Sequence, residues 1–397
     1  MNPKNNHKKP HIVIYFSDTG GGHRSAAEAI IEALQTEYGD SFTVEMVDFF
    51  KDYAPPPFNR APDLYPEMVK APRLWQASFR ATDGRAQARF LTTTFWPVVR
   101  REFRRLVRDH PADLIVSVHP IATSFALRAL GRNHPPFFTV VTDLVTTHAL
   151  WFDTRADRIF VPTEMARQRA LFNKVPAEKL NVVGLPVAAR YCAPAGNQRT
   201  LRKKLGWPLD KPIVTLVGGG DGMGPLHTTA LAIDESGLDL GMVIVCGRNE
   251  KLKAHLESET WENPTFIYGF TRDLPDFMRA TDIIVTKAGP GTIAEALNAN
   301  LPIILYAKLP GQEDGNVTYV ESENAGVWAP SSELVVRALT RWICRPSERQ
   351  AVIENARRVA CPDSSQRIAR AIGQTLALHK KRSGKSGKAV SKRARRA

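Results

Sequence analysis

The 397-residue chain is poor in cysteine: Cys192, Cys246, Cys344 and Cys361 form no C-x-x-C pair. A disulfide framework and a cysteine-held zinc are therefore not expected, and a reducing compartment is. Long apolar runs are missing too. None approaches the roughly 18–20 residues that a spanning helix needs, and the apolar run at 11–16 is too short for a secretory core. Several catalytic signatures are also absent. The chain has no G-x-x-x-x-G-K-[ST], no G-x-S-x-G, no H-E-x-x-H and no Asp-x-Asp. P-loop nucleotide hydrolysis, serine hydrolysis, zinc proteolysis and one common way of holding a metal–nucleotide pair lose their usual support.

Acid is missing from both ends. Residues 379–397 carry nine Lys/Arg and the first eleven residues three Lys, with no Asp or Glu in either. These charges make up most of the formal net charge of +14 and leave the body near +2. The excess sits on two tails expected to be disordered, so the body is not a uniformly basic, nucleic-acid-coating surface. No specific nucleic acid is expected as a partner. Polyanion binding through the C-terminal tail remains a separate class of function. That tail lacks interleaved aromatics, and an electrostatic lipid tether fits it equally.

Within the body, short apolar runs alternate with helical periodicity. Strands are expected at 12–16, 43–47, 114–118, 137–142, 159–161 and 180–183, then at 213–217, 242–246, 265–268, 283–286 and 302–306. Helical patterns lie between most of them, as at 24–38, where Ala26, Ile30, Ala33 and Leu34 share a face. Such alternation predicts an α/β chain of two doubly wound, parallel-sheet (Rossmann-like) domains facing across a cleft. The expected divisions are a basic tail at 1–10, an N-terminal domain at 11–190, a C-terminal domain at 191–346, helices at 347–378 and a basic tail at 379–397. A linker is expected at 186–200.

Four turns after strands carry candidate chemistry. The first is Ser17-Asp18-Thr19-Gly20-Gly21-Gly22-His23-Arg24-Ser25. Its glycines allow close approach of a ligand, and the next helix aims its N–H groups at the same point. His23 is a titratable group at that helix start; the plainer reading is a tight turn with an incidental histidine. Ser25 stands where a dinucleotide fingerprint needs its third glycine. The second turn, Gly218-Gly219-Gly220-Asp221-Gly222-Met223-Gly224, offers backbone N–H groups as an anion nest for a diphosphate. The third runs Thr286-Lys287-Ala288-Gly289-Pro290-Gly291-Thr292 into a helix bearing Glu295. The helix start and Thr292 suit a phosphate. Glu295 suits two vicinal hydroxyls, or is simply a surface residue that the helix dipole favours. The fourth, Leu309 to Asn316, places Gln312, Glu313 and Asn316 where short polar groups read sugar hydroxyls. Asp143, also after a strand, orients His23 or replaces it as base, or caps the next turn.

These residues fall into a recognisable order. Asp18 to Arg24, Val141-Thr142-Asp143-Leu144, Gly184-Leu185-Pro186-Val187, Gly218 to Gly224, Thr286 to Ala296 and Gly311 to Asn316 resemble the motifs of one family. It is the monogalactosyldiacylglycerol synthase and processive diacylglycerol glucosyltransferase group, GT-B enzymes of the glycosyltransferase family 28 type. The resemblance spans about residues 10–370. It implies inverting transfer of a hexose from UDP-galactose or UDP-glucose to diacylglycerol, with no bound cofactor and no catalytic metal. By resemblance His23 is the base or an essential catalytic residue, and Gly20, Gly21 and Gly22 form the acceptor or phosphate loop. Gly219, Gly220, Gly222, Lys287, Gly289, Gly291 and Thr292 belong to the donor site, with Thr292 and its glycines at the diphosphate. Glu295 meets the ribose, Gln312 and Glu313 the hexose, and Phe270 and Thr271 the uracil. The same fold also serves polyprenyl-linked acceptors and UDP-sugar 2-epimerases.

Residues 55–108 hold 11 Lys/Arg against 4 Asp/Glu, and eight aromatics. Basic and aromatic residues in this mixture suit an anionic lipid surface. The ordinary alternative is a solvated basic face over core residues. The expected location is the cytoplasmic face of a membrane, by peripheral attachment.

Overall fold

The computed structural model describes residues 9–19, 21–56, 58–60, 63, 71–192 and 196–377. Gly20, the basic tail at 379–397, residues 1–8 of the N-terminal tail and residues 193–195 of the expected linker lie outside the described residues.

The described chain folds around two sheets, each of six parallel strands. The first uses β1 (His11–Phe16), β2 (Thr43–Asp48), β3 (Leu114–Ser117), β4 (Phe137–Val140), β5 (Arg158–Val161) and β6 (Leu180–Val182), in the order β2-β1-β3-β4-β5-β6. The second uses β7 (Ile213–Val217), β8 (Gly241–Val245), β9 (Thr265–Tyr268), β10 (Ile283–Lys287), β11 (Ile303–Ala307) and β12 (Gly326–Trp328), in the order β12-β11-β10-β7-β8-β9. This is the expected α/β, GT-B-like architecture. The sequence pattern misses only β12, whose three residues begin with a glycine and are too few to show a period.

Both faces of each sheet are covered, which is why the strands read as unbroken apolar runs. In β1, Ile12, Ile14 and Phe16 pack with Ile30 and Leu34 on one face. Val13 and Tyr15 meet Phe49, Phe103 and Trp151 on the other. In β7, Val214 and Leu216 face Leu226 and Ile233, while Ile213 and Val217 face Phe277 and Ile293. The C-terminal helical region does not stand apart. Residues 364–377 return to the first sheet, where Ile368, Ile372 and Leu376 join the cluster of Ile12 and Ile14. The alternating pattern could not reveal this, because a helix carries no mark of which sheet it covers.

The sheet orders fix where the loops converge. In the first sheet the chain reverses direction around β1 and β3, paired from Ile12↔Leu114 to Tyr15↔Ser117. In the second it reverses around β7 and β10, paired from Ile283↔Val214 to Thr286↔Val217. Open α/β sheets bind ligands at such switch points, beyond the carboxyl ends of the strands. The turns holding His23, Gly218–Gly224 and Lys287–Thr292 all start there.

The basic segment contributes the helices Pro72–Thr82 and Arg85–Asp109. The second runs through Pro97 and buries Phe103 and Leu106, with Trp96 and Val99 packed on the same core. Trp96 and Phe103 are thus core residues, which corrects their reading as lipid-facing aromatics. Arg100, Arg101, Arg104 and Arg105 stay exposed. Among the described residues of this segment, Phe58, Leu74, Phe90, Phe95 and Val98 are the exposed large apolar side chains.

Ile372 is fully buried, so Ile372→Ala should destabilise the N-terminal unit by about 2–5 kcal/mol. Denaturant unfolding followed by a probe in the first sheet checks this. No loss would mean that residues 364–377 do not hold that sheet.

Candidate active site

His23 opens the helix Gly22–Tyr38, behind Gly21 at φ +79. A side chain other than glycine is strained there, and no side chain caps the helix start. His23 Nδ1 lies 2.8 Å from the Val118 carbonyl at the end of β3 and 2.8 Å from Thr142 Oγ1 after β4. A carbonyl only accepts, so Nδ1 donates and Nε2 keeps its lone pair. Among the described residues Nε2 has no hydrogen-bond partner. Burial lowers the His23 pKa to about 4, against the opposite pull of the Val118 bond. The ring is therefore neutral at neutral pH, in the tautomer a general base needs.

Three residues frame this imidazole. The His119 ring lies 4.5 Å away, with Nδ1 accepting from the Ile121 N–H at 3.3 Å and Nε2 3.4 Å from Thr19 Oγ1. Burial, and then the neighbouring His23, hold His119 well below the usual histidine range. Trp151 is fully buried with its ring 6.1 Å from His23, and its Nε1 donates to Asp143 Oδ2 at 2.6 Å. Asp143 therefore holds Trp151 and does not bond His23, which corrects the reading that it orients the imidazole. Its other oxygen is 3.5 Å from Gln312 Nε2 of the second domain. Burial raises the Asp143 pKa to about 6, against the pull of Trp151 and Gln312.

Across the cleft, Lys287 ends β10 and lies between two glycine turns. A Cβ on Gly289 would stand 3.0 Å from Lys287 Nζ, and one on Gly219, at φ +72, 3.1 Å from its Cε. Lys287 Nζ donates to Glu313 Oε1 at 2.6 Å, while Glu313 Oε2 accepts from the Leu309 N–H at 2.7 Å. Glu313 is only 4% exposed. Both its oxygens are engaged, so its place is beside Lys287 rather than open to sugar hydroxyls. Asn316 is likewise buried, its Nδ2 donating to the Ala288 carbonyl at 2.8 Å. Of the three expected hydroxyl readers, only Gln312 is partly open.

Helix Pro290–Asn298 has no side-chain cap, so the first-turn N–H groups of Gly291 and Thr292 are available to an anion. Glu295, one turn further, hydrogen-bonds Tyr191. In the Gly218–Gly224 turn, Gly222 N–H donates to Gly219 O and Met223 N–H to Gly218 O. Gly218 N–H donates to Val245 O as well, so three of the turn's N–H groups are spent on backbone carbonyls, while those of Gly219, Gly220, Asp221 and Gly224 are not. Asp221 pairs with Arg248, whose guanidinium lies 5.8 Å from the centre of the exposed Phe270 ring. Thr271 Oγ1 accepts from the Asp273 N–H at 3.0 Å.

Sequence reasoning missed His119, Trp151 and Arg248 as parts of the site. His119 had a readable signal, a His-Pro pair at the carboxyl end of a strand. Arg248 had none, since only the pairing of β7 with β8 brings it to Asp221. The two domains meet where Gly315, packed on Val145 and Thr146, donates its N–H to Thr146 Oγ1 at 2.9 Å.

Comparison with known proteins gives the family and the fold. The family described as monogalactosyldiacylglycerol (MGDG) synthase matches residues 23–187, and the glycosyltransferase family 28 C-terminal domain matches residues 213–367. The chain is 39% identical over 376 residues to a probable monogalactosyldiacylglycerol synthase, chloroplastic, of Glycine max, covering 91% of this chain and 70% of that one. It is 37% identical over 365 residues to monogalactosyldiacylglycerol synthase 2, chloroplastic, of Arabidopsis thaliana, covering 89% and 78%. Among solved structures, the S. aureus MnaA–UDP complex aligns with TM-score 0.62 at 14% identity, covering 93% of this chain and 97% of that one. Acinetobacter baumannii MurG aligns with TM-score 0.58 at 16% identity, covering 92% and 99%.

The His23 tautomer is directly measurable. Nitrogen NMR should find Nδ1 protonated and Nε2 bare from pH 8 down to pH 5, with titration near pH 4. A neutral ring protonated on Nε2 instead of Nδ1 would remove the base assignment.

Proposed function

Because the chain belongs to the monogalactosyldiacylglycerol synthase family, we propose that it transfers a hexose from a UDP-sugar to diacylglycerol at an anionic membrane surface. The observation that carries this reading is the neutral His23, with Nε2 unpartnered among the described residues, opposite donor turns built around Lys287. A diacylglycerol hydroxyl is a poor nucleophile. His23 Nε2 takes its proton as the oxygen attacks the anomeric carbon, and the imidazolium formed is a strong acid in its buried setting. The donor diphosphate leaves from the opposite side, so the configuration inverts. The charge it gains falls on Lys287 and on the N–H groups of Gly291 and Thr292.

Glu295 accepts the ribose hydroxyls, and Phe270 with Thr271 borders the base. Gln312 reads the hexose beside Asp143. The names of the relatives, monogalactosyldiacylglycerol synthases, favour UDP-galactose as the donor, with UDP-glucose the competitor. No cofactor is required in this scheme.

The acceptor approaches along the helix Pro72–Thr82, whose Gln76 and Phe79 pack on Gly311 of the donor-side loop. Beside it, a hollow is lined by Ala81, Ala86, Phe90 and Leu91. Leu74, Phe90, Phe95 and Val98 enter the interface, and Arg100 and Arg104, without an ion pair among the described residues, meet lipid phosphates. Arg105 serves the fold instead, since it bonds the Asp52 carbonyl and pairs with Glu102. Among the described residues no helix is long and apolar enough to cross a membrane.

Four outcomes are expected. The full chain, incubated with labelled UDP-galactose or UDP-glucose and diacylglycerol liposomes, should form a glycosyl-diacylglycerol. Product from neither donor would sink the reading. His23→Ala should lower kcat by about 10²–10⁴ while leaving UDP affinity intact. Burial raises the Glu295 pKa to about 7. Donor KM should therefore rise as pH falls through 7 and Glu295 takes a proton, and Glu295→Gln should flatten that dependence. For the lipid face, Arg100→Gln with Arg104→Gln should weaken anionic-liposome binding roughly thirtyfold, at about 1 kcal/mol per charge. Unchanged sedimentation with liposomes would remove this face from the model of attachment.

A further inference from the structure

Outside the cleft, two helices carry a cluster that the transfer chemistry does not use. His227 lies in the first turn of the helix Leu226–Asp234, which leaves the Gly218–Gly224 turn. His255 lies in the helix Glu250–Glu257, which starts after Arg248 and Asn249, and Glu259 follows that helix. The two imidazole rings are 4.3 Å apart and tilted by 36°. His227 Nε2 is 2.8 Å from Glu259 Oε1, and His255 Nε2 is 3.8 Å from the same oxygen. One ligand atom from each residue lies within 4.8 Å of the others. We propose that His227, His255 and Glu259 form a binding site for a divalent transition-metal ion of the zinc class.

The donor set is two imidazoles and one carboxylate, which suits zinc and leaves a fourth position for water. A tetrahedral zinc with bonds of about 2.0–2.2 Å holds its ligand atoms about 3.3–3.6 Å apart. Small side-chain rotations from the observed positions reach that spacing. The segment that bears the carboxylate is also held from both sides. Trp261 Nε1 donates to the Leu256 carbonyl at 3.1 Å, and Asp234 accepts from the N–H groups of Glu262 and Asn263 at 2.9 Å each. The segment bearing Glu259 is thereby fastened to both helices that supply the histidines. All three ligands are partly or well exposed, with side chains 25%, 59% and 30% accessible for His227, His255 and Glu259, so an ion reaches them from solvent. Binding replaces the His227–Glu259 hydrogen bond, and the ring that binds through Nε2 is the neutral tautomer with its proton on Nδ1. The ion would tie together the two helices whose N-terminal ends carry the glycine turn and Arg248. The site stands apart from the metal-free transfer proposed above and does not depend on it.

The test uses the full chain stripped with a chelator, then dialysed against Zn²⁺ and, separately, Co²⁺. The expected result is one Zn²⁺ retained per chain more than in His255→Gln or Glu259→Gln, a visible Co²⁺ spectrum of low-coordinate N/O type, and a rise in Tm with Zn²⁺. Each variant should weaken binding at least tenfold and abolish the Tm shift, while keeping the Tm of the metal-free parent. His255 is exposed, so its variant folds even if a change at His227 does not. Equal zinc retention by parent and variants, or none by the parent, would overturn the site.

Discussion

The hydrogen bond from His23 Nδ1 to the Val118 carbonyl joins two turns that the chain separates by 95 residues. It exists because β1 and β3 are neighbours in a parallel sheet, so that the carboxyl ends of both strands open on the same edge. The bond sets the tautomer, and the surrounding His119, Trp151 and Thr142 shield much of the ring from water. Desolvation then makes protonation costly, so the imidazole stays a neutral acceptor. Loss of the strand pairing would release the tautomer, the burial and the position of Nε2 together.

The second domain repeats this logic with opposite charge. The β7–β10 switch point brings two glycine turns against Lys287, and the buried Glu313 fixes the ammonium between them. A cation so placed is not free to swing into solvent, and its partner carboxylate is satisfied by the Leu309 N–H as well as by the ion pair. Buried pairs are weak sources of net stability. This one is better understood as positioning a positive charge where two helix-start N–H groups already point. The Asp143–Gln312 approach and the Gly315–Thr146 bond then set how close the two halves sit.

Much of the fold was legible beforehand because parallel strands covered on both faces leave apolar runs that no surface strand would show. Eleven strands and the turns after them follow from that pattern, and so do the glycines at which the backbone must take positive φ, Gly21 and Gly219 among them. The site was less legible where it depends on partners. Glu313 and Gln312 are adjacent and look alike as polar loop residues, yet one is sealed against Lys287 and the other faces Asp143. Trp96 and Phe103 look like interface anchors beside so many arginines, yet they complete the first core. Burial is a property of what lies opposite, and no local pattern states it.

The sequence by itself determined the alternation of strands and helices, the glycine turns, His23 as the first chemical candidate and the tails as the seat of most of the charge. Spacing and composition are local quantities, and these features are local. Tertiary structure alone decided that Val118 holds His23, that Asp143 serves Trp151, that Glu313 serves Lys287 and that residues 364–377 close the first sheet rather than the second. Each of these is a contact between distant positions, created when sheet order brings strand ends together.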